Sequence, residues 1–576
     1  MDDPQSPPAS DYHDSDDEPS EVTPSTLTVP LLVALTTASG GNFPRDDARR
    51  DFPTALWEPG EGISIDLTTN DRFRRVLDAL ASLCVSRPRK QVFAIGVQIT
   101  KTALTLTITD NQPVKDVTIK YLEGVWKILK GLSDLYAGQR ISKSKYHSSG
   151  VPWSKYVGLS PNMPRSVAAA EITLELGKTV YDFTSAKNLK RWAKRWDPPE
   201  GNGLLHFSRK FRAQKGSGSA LSGKDAQFEM MFTKLNIAIS HLRCGKQADW
   251  SQLLGYMNDA TDVADQLLAD KYWCEILAMD ITCEFPPPIP IYLSEIVANL
   301  LVAESSVVPE PAPVIDGRPE QSTQSPVPDA IPKPKPPPYP LRRQIEKLTS
   351  HHRYFRALIA FAHSPRLRLA FTLTESVKTV SLLTVTPTGV ITVPTSATSW
   401  AKVLHDLCAE HQFQVLEERA KHIIDYLELH HHHASVPHQV HSECALVAHY
   451  DLERSSSVGY APPFAYIGVS KLSCKPCHLW LSAYNARPGA PRFYTRGSHG
   501  KWYFPWSPPI IAGWNPGLEP RMESACLAYL GVRGVLRSVS DSTVASGETR
   551  WEDDATERKE REERNRVAEQ MMKVGI

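Results

Sequence analysis

The sequence predicts an α/β protein in two folded parts joined by a long spacer. Three observations predict it. Apolar positions recur at helical spacing in many segments, a few runs are β-branched and alternating, and a proline-rich stretch divides the chain. At 576 residues the chain exceeds one ordinary core, and 41% hydrophobic with 22% charged residues suits a globular protein carrying flexible segments.

Residues 1–26 hold eight acids and no Lys or Arg, so they bury too little apolar surface to offset ordering entropy. A disordered acidic tail is expected there. The apolar run Leu27 to Ala38 is too short to span a bilayer, and no membrane segment is expected. Residues 50–303 read as a mixed, mostly helical domain of unknown role. Arg72 to Val85 and Ile119 to Tyr136 have helical periodicity, which recurs at 224–243, 261–277 and 291–303. Gln91 to Thr109 alternates, with a turn near Thr100–Thr102, and predicts a hairpin. Lys187 to Lys215 holds nine basic residues against Asp197 and Glu200, with Trp192, Trp196 and Phe207 among them. Basic groups and aromatics together suit single-stranded nucleic acid. The same pattern fits a helix with Lys190, Arg191, Lys194 and Arg195 on its solvated face and the tryptophans in a core.

Twelve of the chain's 46 prolines fall between Pro309 and Pro340, so 304–340 reads as an extended, semi-rigid linker. The second folded domain is expected over 341–545. Leu341 to Ala362 reads as a helix. Arg368 to Thr374 and Thr379 to Thr386 read as strands, with a turn at 387–389 and a returning strand at Val390 to Val393. Trp400 to Leu429 reads as one long amphipathic helix. The tetra-histidine run 430–433 reads as a solvated loop, because a flexible tract offers a metal no defined geometry. Residues 551–576 form a charged helical tail with Glu557/Arg561, Glu560/Arg564 and Glu562/Arg566 at i,i+4 spacing.

A net charge of +1 supplies no global attraction for nucleic acid, so any such attraction is local. Nine cysteines are sparse and odd in number, and the first residues lack the basic start and apolar core of a secretory signal. An intracellular setting, cytoplasm or nucleus, is expected, where closely spaced cysteines point to metal before disulfide.

The chemistry concentrates between Pro437 and Trp506. His441-Ser-Glu443 is followed by Cys474-Lys-Pro-Cys477, the spacing of the zinc-deaminase signature. His441 opens a predicted helix. Ala465 to Ser470 suits a buried strand leading to a second helix near Cys474. Cysteines three apart in a first helical turn share a face, and unpaired N–H groups there favour thiolates. One imidazole and two thiolates make three ligands for four-coordinate zinc, which leaves a position for water. Zinc makes hydroxide available near neutral pH, and Glu443 is the candidate proton shuttle. A structural Cys2His2 site using His438, His449 or His499 is the main alternative. A redox pair and a cysteine nucleophile are weaker ones.

These blocks, with Tyr466-Ile-Gly-Val-Ser-Lys471 and Thr495-Arg-Gly-Ser-His-Gly-Lys501, resemble a largely fungal family of predicted nucleic acid/nucleotide deaminases. That family is a branch of the cytidine-deaminase-like superfamily, related to bacterial toxin-type deaminases. The resemblance covers roughly 340–530. It implies a three-layer α/β/α fold with a mixed sheet, both motif helices on one face, zinc on His441, Cys474 and Cys477, and Glu443 as acid/base. Ser473 stands where many superfamily members have proline, and Pro476 lies inside the cysteine pair.

In the block 494–506, Arg496 suits a phosphate, His499 a base or phosphate, and Trp502 or Trp506 a ring; a loop with core tryptophans fits equally. The expected activity is zinc-dependent hydrolytic deamination of a base, cytosine-type favoured, in a nucleotide or single-stranded nucleic acid. The alternative is a catalytically idle deaminase-like binding or scaffold protein with a structural zinc site.

Overall fold

The structure is a computed structural model. It describes residues 28–40, 71–88, 91–138, 167–196, 204–205, 207–209, 223–243, 249–269, 341–364, 367–430, 435–457, 460–514, 517–532 and 535–538. The acidic tail, the linker, the 291–303 helix, most of the histidine run and the charged tail of the sequence analysis lie outside these residues.

A mixed four-stranded sheet organises the molecule. Its strands are β1 (Phe93–Ile99), β2 (Ala103–Asp110), β3 (Thr374–Thr379) and β7 (Gly468–Val469), in the order β3-β2-β1-β7. β1 runs antiparallel to β2 and to β7, while β2 and β3 are parallel, with Ala103 opposite Thr374. The hairpin is as the alternation predicts. Its place is not. The expected division into a 50–303 domain and a 341–545 domain does not hold, because the hairpin supplies the two central strands between β3 and β7. Every residue of β1 is buried, so both its faces need cover, and a free-standing hairpin could not give it.

Helices cover both faces. On one side α2 (Asp71–Leu83) packs on β1 and β7, backed by α3 (Asp116–Gly138), α4 (Val167–Trp196), α5 (Gly223–Arg243), α6 (Trp250–Ala269) and α7 (Leu341–His363). Phe93, Ile95, Val97 and Ile99 project into this core. On the other side α11 (Ser442–Ser456) lies on β1 and β2, with Ala94 in its core. Two glycines permit the close approach. A Cβ on Gly96 would strike the Tyr450 ring of α11, and one on Gly468 would strike the backbone of Leu77 in α2.

α12 (Lys475–Asn485) packs beside α11 in this second core. α1 (Val29–Ala38) and α13 (Leu518–Val532) pack against each other in the same core, which explains the apolar run at 29–38 as core rather than membrane. Among the described residues no helix is long and apolar enough to cross a membrane.

Three local expectations are corrected. Leu369–Thr372 is a helical turn, α8, and the strand falls between the two expected ones, as polar edge strand β3. β4 (Val390–Thr392) does not return on a hairpin but pairs with β6 (Ser435–Pro437). The long helix is two, α9 (Ala397–Glu410) and α10 (Glu417–His430). Gln412 takes a positive φ of 58°, which stops α9, and Phe413–Val415 then forms β5 against β8 (Leu536–Ser538).

Candidate metal centre

His441, Cys474 and Cys477 meet at the N-termini of α11 and α12, with ligand atoms within 4.8 Å of one another, all three buried. His441 Nδ1 is 3.3 Å from each sulfur, and the sulfurs are 3.2 Å apart and unbonded. His441 occupies the N-cap of α11 but does not cap it with its side chain. Asn111, just past β2, does so instead, its Oδ1 accepting the Ser442 N–H at 2.9 Å. The imidazole is therefore left for the cysteines. Cys474 caps α12, its sulfur accepting the Cys477 N–H at 3.4 Å, and Trp506 Nε1 donates to Cys477 Sγ at 3.2 Å.

The donor set fits zinc. Bond lengths near 2.3 Å to sulfur and 2.0 Å to nitrogen in a tetrahedron put the sulfurs about 3.8 Å apart and sulfur about 3.5 Å from nitrogen. The three side chains need to part by only a few tenths of an ångström. Burial pushes both thiols well above their ordinary pKa, so they become thiolates only with a cation beside them. Burial opposes charging of His441, but Cys474 and Glu443 outweigh it and raise its pKa. Among the described residues no fourth His, Cys, Asp or Glu joins the group. His438 bonds Ser507 Oγ at 2.7 Å, His449 pairs with Glu453 at 3.4 Å, and His499 Nδ1 accepts the Lys501 N–H at 3.0 Å.

Glu443 follows in the first turn of α11, 5% exposed, with Ser442 Oγ 3.4 Å from its Oε2. It acts electrostatically on His441 and Cys477 without joining the ligand group.

The 494–501 segment runs beside 465–475 and holds the Cys474 loop. Ser473 N–H donates to Gly497 O, His499 N–H to Ser473 O, and Lys475 N–H to Lys501 O. Of the residues expected to touch substrate, two are elsewhere. Arg496, half-buried, donates from Nη1 to Tyr354 OH at 2.8 Å, close to Asp78, against the core on the α2 side. Trp502 is 2% exposed and part of the α11 core, so no base can stack on it. His499 remains near the triad, edge-on to Tyr503 at 5.5 Å. Tyr503 was not singled out from sequence. It is 46% exposed, and its ring lies 6.5 Å from that of His441. Only its place in the run Lys501-Trp-Tyr-Phe-Pro-Trp506 marked it. In the basic segment, where described, Trp192, Trp196 and Phe207 are core as the core reading has it, and Lys190 and Lys194 are solvated, but Arg191 and Arg195 are half-buried, Arg191 Nη1 donating to Ser350 Oγ at 3.0 Å.

Residues 440–510 match a protein-family model described as OTT_1508_deam:-like deaminase. The match spans the triad, Glu443, the 494–501 segment and Tyr503, and supports a deaminase domain of the cytidine-deaminase-like type in this part of the chain. No curated protein and no solved structure matches the chain.

Proposed function

From the deaminase domain at 440–510, we propose that the protein is a zinc-dependent hydrolytic deaminase of a nucleobase, with cytosine-type rings favoured. The observation that carries this is the three-donor group with a buried carboxylate beside it and no fourth protein ligand among the described residues. A structural site would close the shell. His441, Cys474 and Cys477 would hold the metal, which when bound would supply Lewis acidity that lowers the pKa of water.

Glu443 takes the proton of the attacking water, then delivers protons to the ring nitrogen and to the departing amine, which leaves as ammonia. Its burial beside the ligands keeps bulk water from competing for that proton. Tyr503 offers the ring for stacking, and His499 a hydrogen bond to the base or its sugar.

The test is zinc content by elemental analysis of the full chain with the 430–433 histidines replaced by Ser. About one zinc per chain is expected, lost in Cys474→Ser. A well-folded protein without zinc would sink the proposal and favour an idle deaminase-like module.

A further inference from the structure

Trp506 meets the metal centre with its N–H edge. The ring is wholly buried in the core that holds α11 and α12, so it offers no face to a base. An indole N–H taken out of water needs an acceptor. Here Nε1 donates to Cys477 Sγ at 3.2 Å.

The segment that carries this ring is also fastened to the first ligand's approach. Ser507, next in the chain, donates its N–H to Gln439 O at 3.0 Å, and its Oγ lies 2.7 Å from His438 Nδ1. Gln439 stands two residues before His441. One short stretch, 506–507, therefore links the lead into His441 with the sulfur of Cys477.

The two sulfurs receive their hydrogen bonds from different sources. Cys474 Sγ accepts the Cys477 N–H at 3.4 Å, the bond an N-cap side chain ordinarily makes to its own helix. Cys477 lies inside that first turn, and the donor to its sulfur comes from 29 positions further along the chain. Helix geometry does not require that second donor. A neutral thiol is a weak acceptor, whereas a bond to a thiolate is charge-assisted and roughly twice as strong as a neutral one. The indole bond is thus worth most when Cys477 is a thiolate holding a metal. A sulfur that shares its charge with an N–H also passes less of that charge to the metal.

We propose that Trp506 is a positioning residue of the metal centre. Its N–H fixes the direction of the Cys477 sulfur and tempers the charge that this thiolate gives the metal, which leaves the centre a stronger Lewis acid. The assignment rests on the zinc reading of His441, Cys474 and Cys477 and adds to it a residue outside the ligand set.

The experiment loads the full chain, its 430–433 histidines replaced by Ser, with cobalt(II) as a coloured probe of the zinc site. Wild type is compared with a protein carrying β-benzothienylalanine at position 506, where a sulfur replaces the indole N–H and the shape is kept. Trp506→Phe is the second variant, and Trp400→Phe, in the same core on α9, the packing control. Loss of the N–H is expected to move the sulfur-to-cobalt charge-transfer band to lower energy. Metal affinity in chelator competition should fall about tenfold, as for other outer partners of metal ligands. Metal-free melting of the benzothienyl protein should stay near that of wild type, and Trp400→Phe should leave the band in place. A benzothienyl protein with the band and affinity of wild type would make Trp506 packing alone and overturn the proposal, while the zinc reading stands. A wild type that takes up no cobalt would overturn both.

Discussion

The side-chain oxygen of Asn111 and the backbone N–H of Ser442 meet at 2.9 Å across 331 positions of sequence. That bond ties the central hairpin to the helix that carries His441 and Glu443. It also caps an end whose own N-cap residue is turned towards the two cysteines. Asn111→Ala should lower stability by about 1 kcal/mol, the usual worth of a cap, while Asn111→Asp keeps an acceptor and most of the stability. Denaturant unfolding of the three proteins measures this. Equal midpoints for Asn111→Ala and wild type would remove the capping role.

The sheet makes a second prediction, about fragments. A 341–576 chain contains the whole metal motif but lacks β1 and β2, so β3 and β7 lose the strands between them. It should show no cooperative unfolding transition and no stoichiometric zinc, unless the 28–269 part is co-expressed. Circular dichroism with melting, with and without that part, decides the matter. A sharply melting 341–576 fragment would contradict the shared sheet.

Those strands also mark the limit of what the sequence discloses. His441, Glu443, Cys474 and Cys477 were legible because the deaminase signature is a matter of residue types at fixed local spacings. The hairpin was legible for the same local reason. That Ala94 pairs with Val469 was not, since pairing across hundreds of residues leaves no periodic trace. One clue was present: Phe93-Ala-Ile-Gly-Val-Gln-Ile99 is nearly apolar throughout, as suits a strand covered on both faces. The end of α9 was hidden differently, because Gln412 adopts a positive φ that its residue type does not announce. Arg496 misled because an arginine in a motif block suits a phosphate and a half-buried tyrosine equally well.

Trp502 and Tyr503 are neighbours with opposite fates, which separates stability from binding. Trp502→Ala removes a core ring and should cost about 3–5 kcal/mol of stability. Tyr503→Ala should leave stability nearly unchanged and raise KM about tenfold, the worth of one stacked base, with Tyr503→Trp restoring it. Thermal melting and steady-state kinetics on the same preparations separate the effects. An unchanged KM in Tyr503→Ala would remove Tyr503 from the substrate site.

Glu443→Gln keeps the size of the side chain and removes its proton chemistry. Zinc content should remain that of wild type, while kcat falls about 100- to 10,000-fold, the range for a lost general acid/base. Turnover equal to wild type, in an assay where wild type is active, would end the proton-shuttle mechanism.

Acid should weaken the fold through His352. Its ring lies buried between α4, α6 and α7, with Nδ1 2.9 Å from Tyr181 OH and Nε2 2.8 Å from Asn258 Oδ1. The neutral ring satisfies both, accepting from the tyrosine and donating to the asparagine. Burial, then nearby Arg356, brings its pKa down to about 3, and His351 beside it is held well below 6.5 by burial and the Lys187 and Arg191 charges. The unfolded chain binds these protons near pH 6.5 and the folded chain does not, so the stability is full above pH 6.5 and is lost as pH falls towards 3. His352 alone accounts for about 2 kcal/mol between pH 6.5 and 5. Urea unfolding at pH 7, 6 and 5 should follow that slope, and His352→Gln, which carries no titrating proton, should flatten it. A variant as acid-sensitive as wild type would assign the loss to other groups.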